Sequence, residues 1–133
     1  MPTRFIARHL KRRSVPLTIR GKKLNAMVSK TYWERVIGLM HRGGMGTNEC
    51  MLFVLPYSHR HGIWMRNMKF PIDVIWLDDR KRIVHIERSL PPCMSFNCKV
   101  YSPDKDSRYI VELQSGYTKR NRIKINDAAE FTL

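Results

Sequence analysis

From Val15 onward the chain is a succession of short apolar runs divided by turn residues, a rhythm that predicts strands. Val15–Arg20 and Leu24–Val28 alternate or run apolar on either side of Gly21-Lys22-Lys23, which predicts a hairpin with a three-residue turn. Thr31-Tyr32-Trp33-Glu34 interrupts the pattern. There a threonine hydroxyl can cap an orphan amide while Glu34 reaches back, and Trp33, Val36, Ile37 and Met40 recur at helical spacing until Gly43-Gly44. Strand-like runs then resume at Cys50–Leu55, Gly62–Met65, Ile72–Leu77, Arg82–Glu87, Arg108–Leu113 and Arg122–Ile125, with Asp78–Lys81 as a tight turn. Seven to nine short strands with one helix make the fold mainly β, a small β-sandwich or a partly closed barrel.

The 133 residues fit one domain with a buried core, and a hydrophobic fraction of 43% argues against reading the charge as disorder. The expected organisation is a basic N-terminal arm over residues 1–14 and a single β-rich domain over residues 15–133. The longest apolar run, Met51–Pro56, is far below the roughly 18 residues of a membrane span, so no membrane partner is expected. Cys50, Cys93 and Cys98 are too few and odd in number for a disulfide framework. That favours a reducing, cytoplasmic setting and leaves a Cys93–Cys98 bridge open.

Charge changes the picture most. The formal net charge is +14, and the first 35 residues hold ten Lys or Arg against the single acid Glu34. Core packing is indifferent to surface charge sign, so a field of this size points to a polyanionic partner. Arg4, Arg8, Lys11, Arg12 and Arg13 are spaced to follow phosphates, Arg20, Lys22 and Lys23 would project from the hairpin tip, and Lys119, Arg120, Arg122 and Lys124 would extend the footprint. No helix-turn-helix, zinc finger or aromatic RNA-reading motif accompanies them, so sequence-specific DNA binding is not expected. A structured RNA read by shape fits better.

Four blocks in order carry a resemblance: Glu34–Met40 followed by Arg42; Met51–Val54; Trp64–Met68 with Pro71–Ile75; and Tyr109–Leu113 with Gly116. In these the chain resembles the uncharacterised family called domain of unknown function 192, from about Leu24 to Phe131. The resemblance implies a small, mainly β domain and brings no established activity. Cys50 and Asn126 stand where the family usually has glycine, and Asn tolerates the left-handed conformation. Gly38, inside the expected helix, suggests a close approach of helix to sheet.

Specific chemistry is weakly signalled. Glu34, Asp73 and Glu112 are the carboxylates available for acid and base roles, yet nothing in the sequence separates their environments. His59, His61, Cys93 and Cys98 lack a metal-knuckle spacing, and Cys93 has no identifiable base, so neither a metal, a cofactor nor a catalytic residue is expected. Trp64, Met65, Asn67 and Asp73 combine apolar and polar groups beside a turn and form a candidate ligand cleft. The plainer reading makes Trp64 and Met65 core, Asn67 a turn brace, and Asp73 the partner of Arg35 or Arg42. The expected function is that of a non-enzymatic RNA-binding protein associated with ribosomal RNA and ribosomal proteins. The alternative is a small-ligand or enzymatic domain using the Trp64 to Asp73 region.

Overall fold

The computed structural model describes residues 3–133. Its elements in chain order are α1 (Thr3–His9), β1 (Ser14–Ile19), β2 (Lys22–Ser29), α2 (Tyr32–Ile37), β3 (Glu49–His59), β4 (Ile63–Trp64), β5 (Ile72–Leu77), β6 (Ile83–Leu90), β7 (Val100–Tyr101), β8 (Ser107–Gln114), α3 (Tyr117–Arg120) and β9 (Ala129–Glu130). Seven strands form one sheet in the order β6-β5-β8-β3-β2-β1-β9, and β4 pairs with β7 in a separate ribbon. All neighbours in the large sheet are antiparallel except β2 and β3, which run parallel because α2 carries the chain back between them.

The sheet curls until its edges meet. Arg82 bridges Ala128, Ile83 N–H donates to Asp127 O at 2.9 Å, and Ala129 N–H donates to Lys81 O at 2.9 Å. Joining the β6 and β9 ends in this way gives a partly closed barrel and covers strand groups that would otherwise stand open. Strand alternation then sorts the core into two layers. Leu17, Leu24, Leu52, Ile75, Val111 and Leu113 pack inside the curl, whereas Met51, Phe53, Val74, Trp76 and Ile110 face outward beneath the α2 segment and the β4–β7 ribbon.

Local chemistry explains the helices. Thr31 Oγ1 accepts from Glu34 N–H at 3.3 Å, and Glu34 Oε1 accepts from Thr31 N–H at 2.9 Å, so the expected capping box is present. The helix stops at Ile37, well before Gly43, because Gly38 turns at φ 49°. A Cβ on Gly38 would lie 3.1 Å from Phe53 Cζ, so the close approach to the sheet is real, but it occurs at the helix end.

Three further expectations are corrected. The hairpin turn is Arg20-Gly21, both at positive φ, which places Lys22 and Lys23 within β2. Arg122–Ile125 is not a strand, since positive φ at Arg122 and Asn126 breaks the extended path. Three short helices are present among the described residues, not one. The described part of the basic arm includes α1, which is docked through Ile6 onto Ile37 and Met40.

Candidate nucleic-acid interface and ligand cleft

The packing of α1 against the α2 segment brings distant cations together. Arg4 and Arg8 from α1, Arg42 from the turn after α2, and Lys69 ahead of β5 line one groove of about 440 Å3, with Arg12 and His41 also in its lining and no acid among its lining residues. His41 registers the resulting field. Partial burial, then the positive charges of Arg4 and Lys69, hold its pKa below the usual imidazole range, while its Nε2 lies 2.8 Å from Thr3 Oγ1.

Arg12 has a different role from its neighbours. Its guanidinium donates to Ser29 Oγ at 2.8 Å, Glu34 O at 2.9 Å and Gly38 O at 3.2 Å, closing the carbonyl end of α2. It clamps the end of α2 while also lining the groove. Lys11 and Arg13 are exposed on the connection into β1. The other candidates fall elsewhere. Arg20, Lys22 and Lys23 sit at the far end of the six-residue β1 strand, roughly 20 Å away at about 3.3 Å per residue. There Arg20 lies 3.8 Å from Asp127, whose carboxylate also accepts from Lys124 N–H at 2.8 Å. Lys119 and Arg120 are exposed on α3, where Arg120 donates to Gln114 Oε1 at 3.2 Å. The basic residues therefore do not form one patch: Arg20, Lys22 and Lys23 stand at the end of β1 away from the groove, and Lys119 and Arg120 lie on α3.

The candidate ligand cleft is open, but most of its expected members are not in it. Trp64 is 44% exposed and lines a cleft of about 400 Å3 between α2 and the outer face of β3 and β8, with Arg66 stacked 5.5 Å from its ring centroid. Met65 is core, and Asn67 occupies a positive-φ turn whose N–H donates to Cys93 O at 3.3 Å. Asp73 points to the opposite face. It is fully buried and accepts from Ser89 N–H, Gly116 N–H, Thr118 N–H and Thr118 Oγ1 at 2.7 to 3.2 Å, so neither Arg35 nor Arg42 is its partner.

Glu112 is the group that sequence reasoning undervalued. Its register between Met51 on β3 and Val74 on β5 puts a carboxyl in the apolar outer layer and at the cleft lining. Burial pushes its pKa up to about 8, against a smaller opposing pull from Arg12. Glu34, by contrast, overcomes partial desolvation through hydrogen bonds from Thr31 and Lys30 and stays low.

The cysteines are settled by geometry. Cys93 and Cys98 form a disulfide, which removes the argument from cysteine number for a reducing compartment and leaves Cys93 no free thiol. Cys50 is buried, and desolvation pushes its thiol up to about 12, so it is unsuited to nucleophilic chemistry. No helix of the described residues is long and apolar enough to cross a membrane.

Similarity to known proteins agrees with this architecture. A UPF0127 protein of Pyrococcus abyssi is 27% identical over 78% of this chain and 83% of its own length. A UPF0127 protein of Thermococcus kodakarensis is 30% identical over 85% of this chain and 69% of its own length. Among solved structures, one of a proposed transcription regulator from Sinorhizobium meliloti 1021 superposes with a TM-score of 0.85 at 22% identity, covering 92% of this chain and 97% of that one. A protein of unknown function from Novosphingobium aromaticivorans superposes with a TM-score of 0.81 at 26% identity, covering 88% and 84%. The family model described as "Uncharacterized ACR" matches residues 15–131, and the chain therefore belongs to the DUF192 family.

Proposed function

We propose that the protein binds RNA through its phosphate backbone, with the groove between α1 and the turn after α2 as the point of attachment and ribosomal RNA as the partner class. The observation that supports this is the meeting of Arg4, Arg8, Arg42 and Lys69, from three separate segments, in a groove whose lining contains no acid. Like charges held this close repel one another, and a bound polyanion relieves that repulsion while releasing its own counterions. Such interactions fix position and carry little sequence information, in keeping with an RNA recognised by shape. In this reading the protein holds its partner and does not transform it.

The test is a binding titration on ribosomal RNA at several salt concentrations. Replacing Arg4, Arg8, Arg42 and Lys69 by Ala should flatten the logarithmic salt dependence by roughly 0.7 to 0.9 for each phosphate no longer neutralised. Replacing Lys119 and Lys124, which lie outside the groove, should change it little. Wild-type affinity and slope in the groove variant would overturn the reading.

A further inference from the structure

Glu112 presents an unused polar group in an otherwise apolar place. It is 5% exposed and its carboxyl takes part in no hydrogen bond among the described residues, although Arg12 is near enough to influence it. Arg12 serves Ser29, Glu34 and Gly38 through Nε and Nη2 and makes no hydrogen bond to Glu112. Every fully buried polar side-chain atom of the described residues has a partner, so the Glu112 oxygens keep an opening to the cleft. Leu39, Phe53 and Ile110 form apolar walls, Tyr32 and Trp64 bring aromatic rings, and Arg35 and Arg66 add positive charge.

This combination eliminates most ligand classes. An aliphatic chain would leave the carboxyl unpaired, at the cost of a desolvated polar group. A simple cation would meet Arg35, Arg66 and Arg12, and a simple anion would meet the carboxyl. A planar ring with an adjacent hydrogen-bond donor and acceptor on one edge, and an anionic tail at the other end, satisfies all of them. We propose that the cleft is a nucleobase pocket in which Glu112 pairs with the base edge, Trp64 and Tyr32 flank the ring, and Arg35 and Arg66 take the attached phosphate.

The protonation state agrees. With its pKa pushed up to about 8, the carboxyl is largely neutral near pH 7, donating one hydrogen bond and accepting another. The charged or titratable groups set around it are Arg12, Tyr32 and Arg35 of α2, His61 ahead of β4, and Arg66 after it, while β3 and β5 present Met51 and Val74 beside it. The cleft also adjoins the cationic groove, since Ile37, Gly38 and Met40 line both. The same chemistry is offered by a free mononucleotide or by an unpaired residue of an RNA held in the groove. The second source rests on the proposed RNA function; the first does not.

Calorimetric titration with AMP and CMP tests the pocket directly, because the ring nitrogen of each needs a proton that a carboxylate lacks. Measured against Glu112→Gln, which cancels the titration of the phosphate and of the ring nitrogen, wild-type affinity should be constant from about pH 5.5 to 7 and then fall, approaching tenfold per pH unit above the carboxyl pKa. Glu112→Gln keeps a donor and an acceptor in the same shape, so it should bind with no such fall, and Glu112→Leu should lose at least tenfold at pH 7. No binding at millimolar nucleotide, undiminished binding by folded Glu112→Leu, or the same pH profile in Glu112→Gln would overturn the proposal. A single-stranded oligoadenylate separates the sources. Tighter binding than AMP, abolished by the groove substitutions while AMP binding stays, assigns the pocket to an RNA residue, and equal affinities assign it to free nucleotide.

Discussion

Thr118 donates twice to one oxygen of Asp73, its backbone N–H at 2.9 Å and its hydroxyl at 2.7 Å both reaching Oδ2. The other oxygen accepts from Ser89 N–H at 2.8 Å and Gly116 N–H at 3.2 Å. One carboxyl thus ties β5 to the end of β6 and to the start of α3, all on the face away from the Trp64 cleft.

Asp73→Asn should therefore weaken the fold. The amide nitrogen would face donors in place of an acceptor and leave buried N–H or O–H groups unpaired, a loss of about 3 kcal/mol. Urea unfolding would register it as a lower midpoint with an unchanged slope on denaturant. The folded variant should bind RNA with wild-type salt dependence, because Asp73 lies outside both the cationic groove and the cleft.

The parts of the fold that depend on local chemistry were legible in the sequence. Apolar runs and period-two alternation mark β1, β2, β3, β5, β6 and β8, and the Thr31–Glu34 box marks α2. What failed were backbone choices that composition does not fix. The hairpin turn needed two positive-φ residues and took Arg20-Gly21 in place of Gly21-Lys22-Lys23, while Arg122–Ile125 alternates like a strand but is bent at Arg122. The site was less legible still. Alternation places Glu112 with Ile110 on one face of β8, yet only the return of the chain over that face buries the carboxyl. The meeting of Lys69 with Arg4 and Arg8 likewise depends on segments far apart in sequence.

Gly38 is expected to be intolerant of any side chain. Its φ of 49° with ψ of −125° is costly for an L-residue, and the new Cβ would press on Phe53 at 3.1 Å. Gly38→Ala should destabilise the protein by about 2 to 3 kcal/mol, through backbone strain and overpacking together. Because Gly38 O also accepts from Arg12, the same variant should loosen the wall shared by cleft and groove. Thermal unfolding monitored by circular dichroism measures the first effect, and an unchanged melting temperature would contradict it.

Glu112 should make stability fall as pH rises. Its folded pKa is raised to about 8 from an ordinary value of 4.5, so between those limits the folded state holds a proton that the unfolded state has released. The stabilisation is complete below about pH 4.5 and is lost progressively up to about pH 8, a span worth a few kcal/mol. Glu112→Gln has no proton to release. Its melting temperature should match the wild type near pH 4.5 and exceed it at pH 8, and parallel curves for the two proteins would show that the carboxyl is not held neutral by the fold.

His41 offers a readout of what occupies the cationic groove. In the free protein, burial and the charges of Arg4 and Lys69 disfavour the imidazolium, so its pKa is low and its contribution to stability is lost as pH falls through that pKa. A phosphate placed among Arg4, Arg8, Arg42 and Lys69 reverses the sign of the local field and favours the protonated ring. Linkage then requires two matched results: the His41 pKa rises on binding, and affinity increases as pH falls through the His41 range. A proton NMR titration of the histidine ring resonances, with and without a short RNA, measures the first, and affinities at pH 5.5 and 7.5 measure the second. His41→Ala should remove this contribution to the pH dependence while leaving most of the salt dependence, which belongs to the four surrounding cations. If RNA binds and the His41 pKa stays where it was, the phosphates lie elsewhere, and the basic residues outside the groove, Lys22, Lys119 and Lys124 among them, become the place to look.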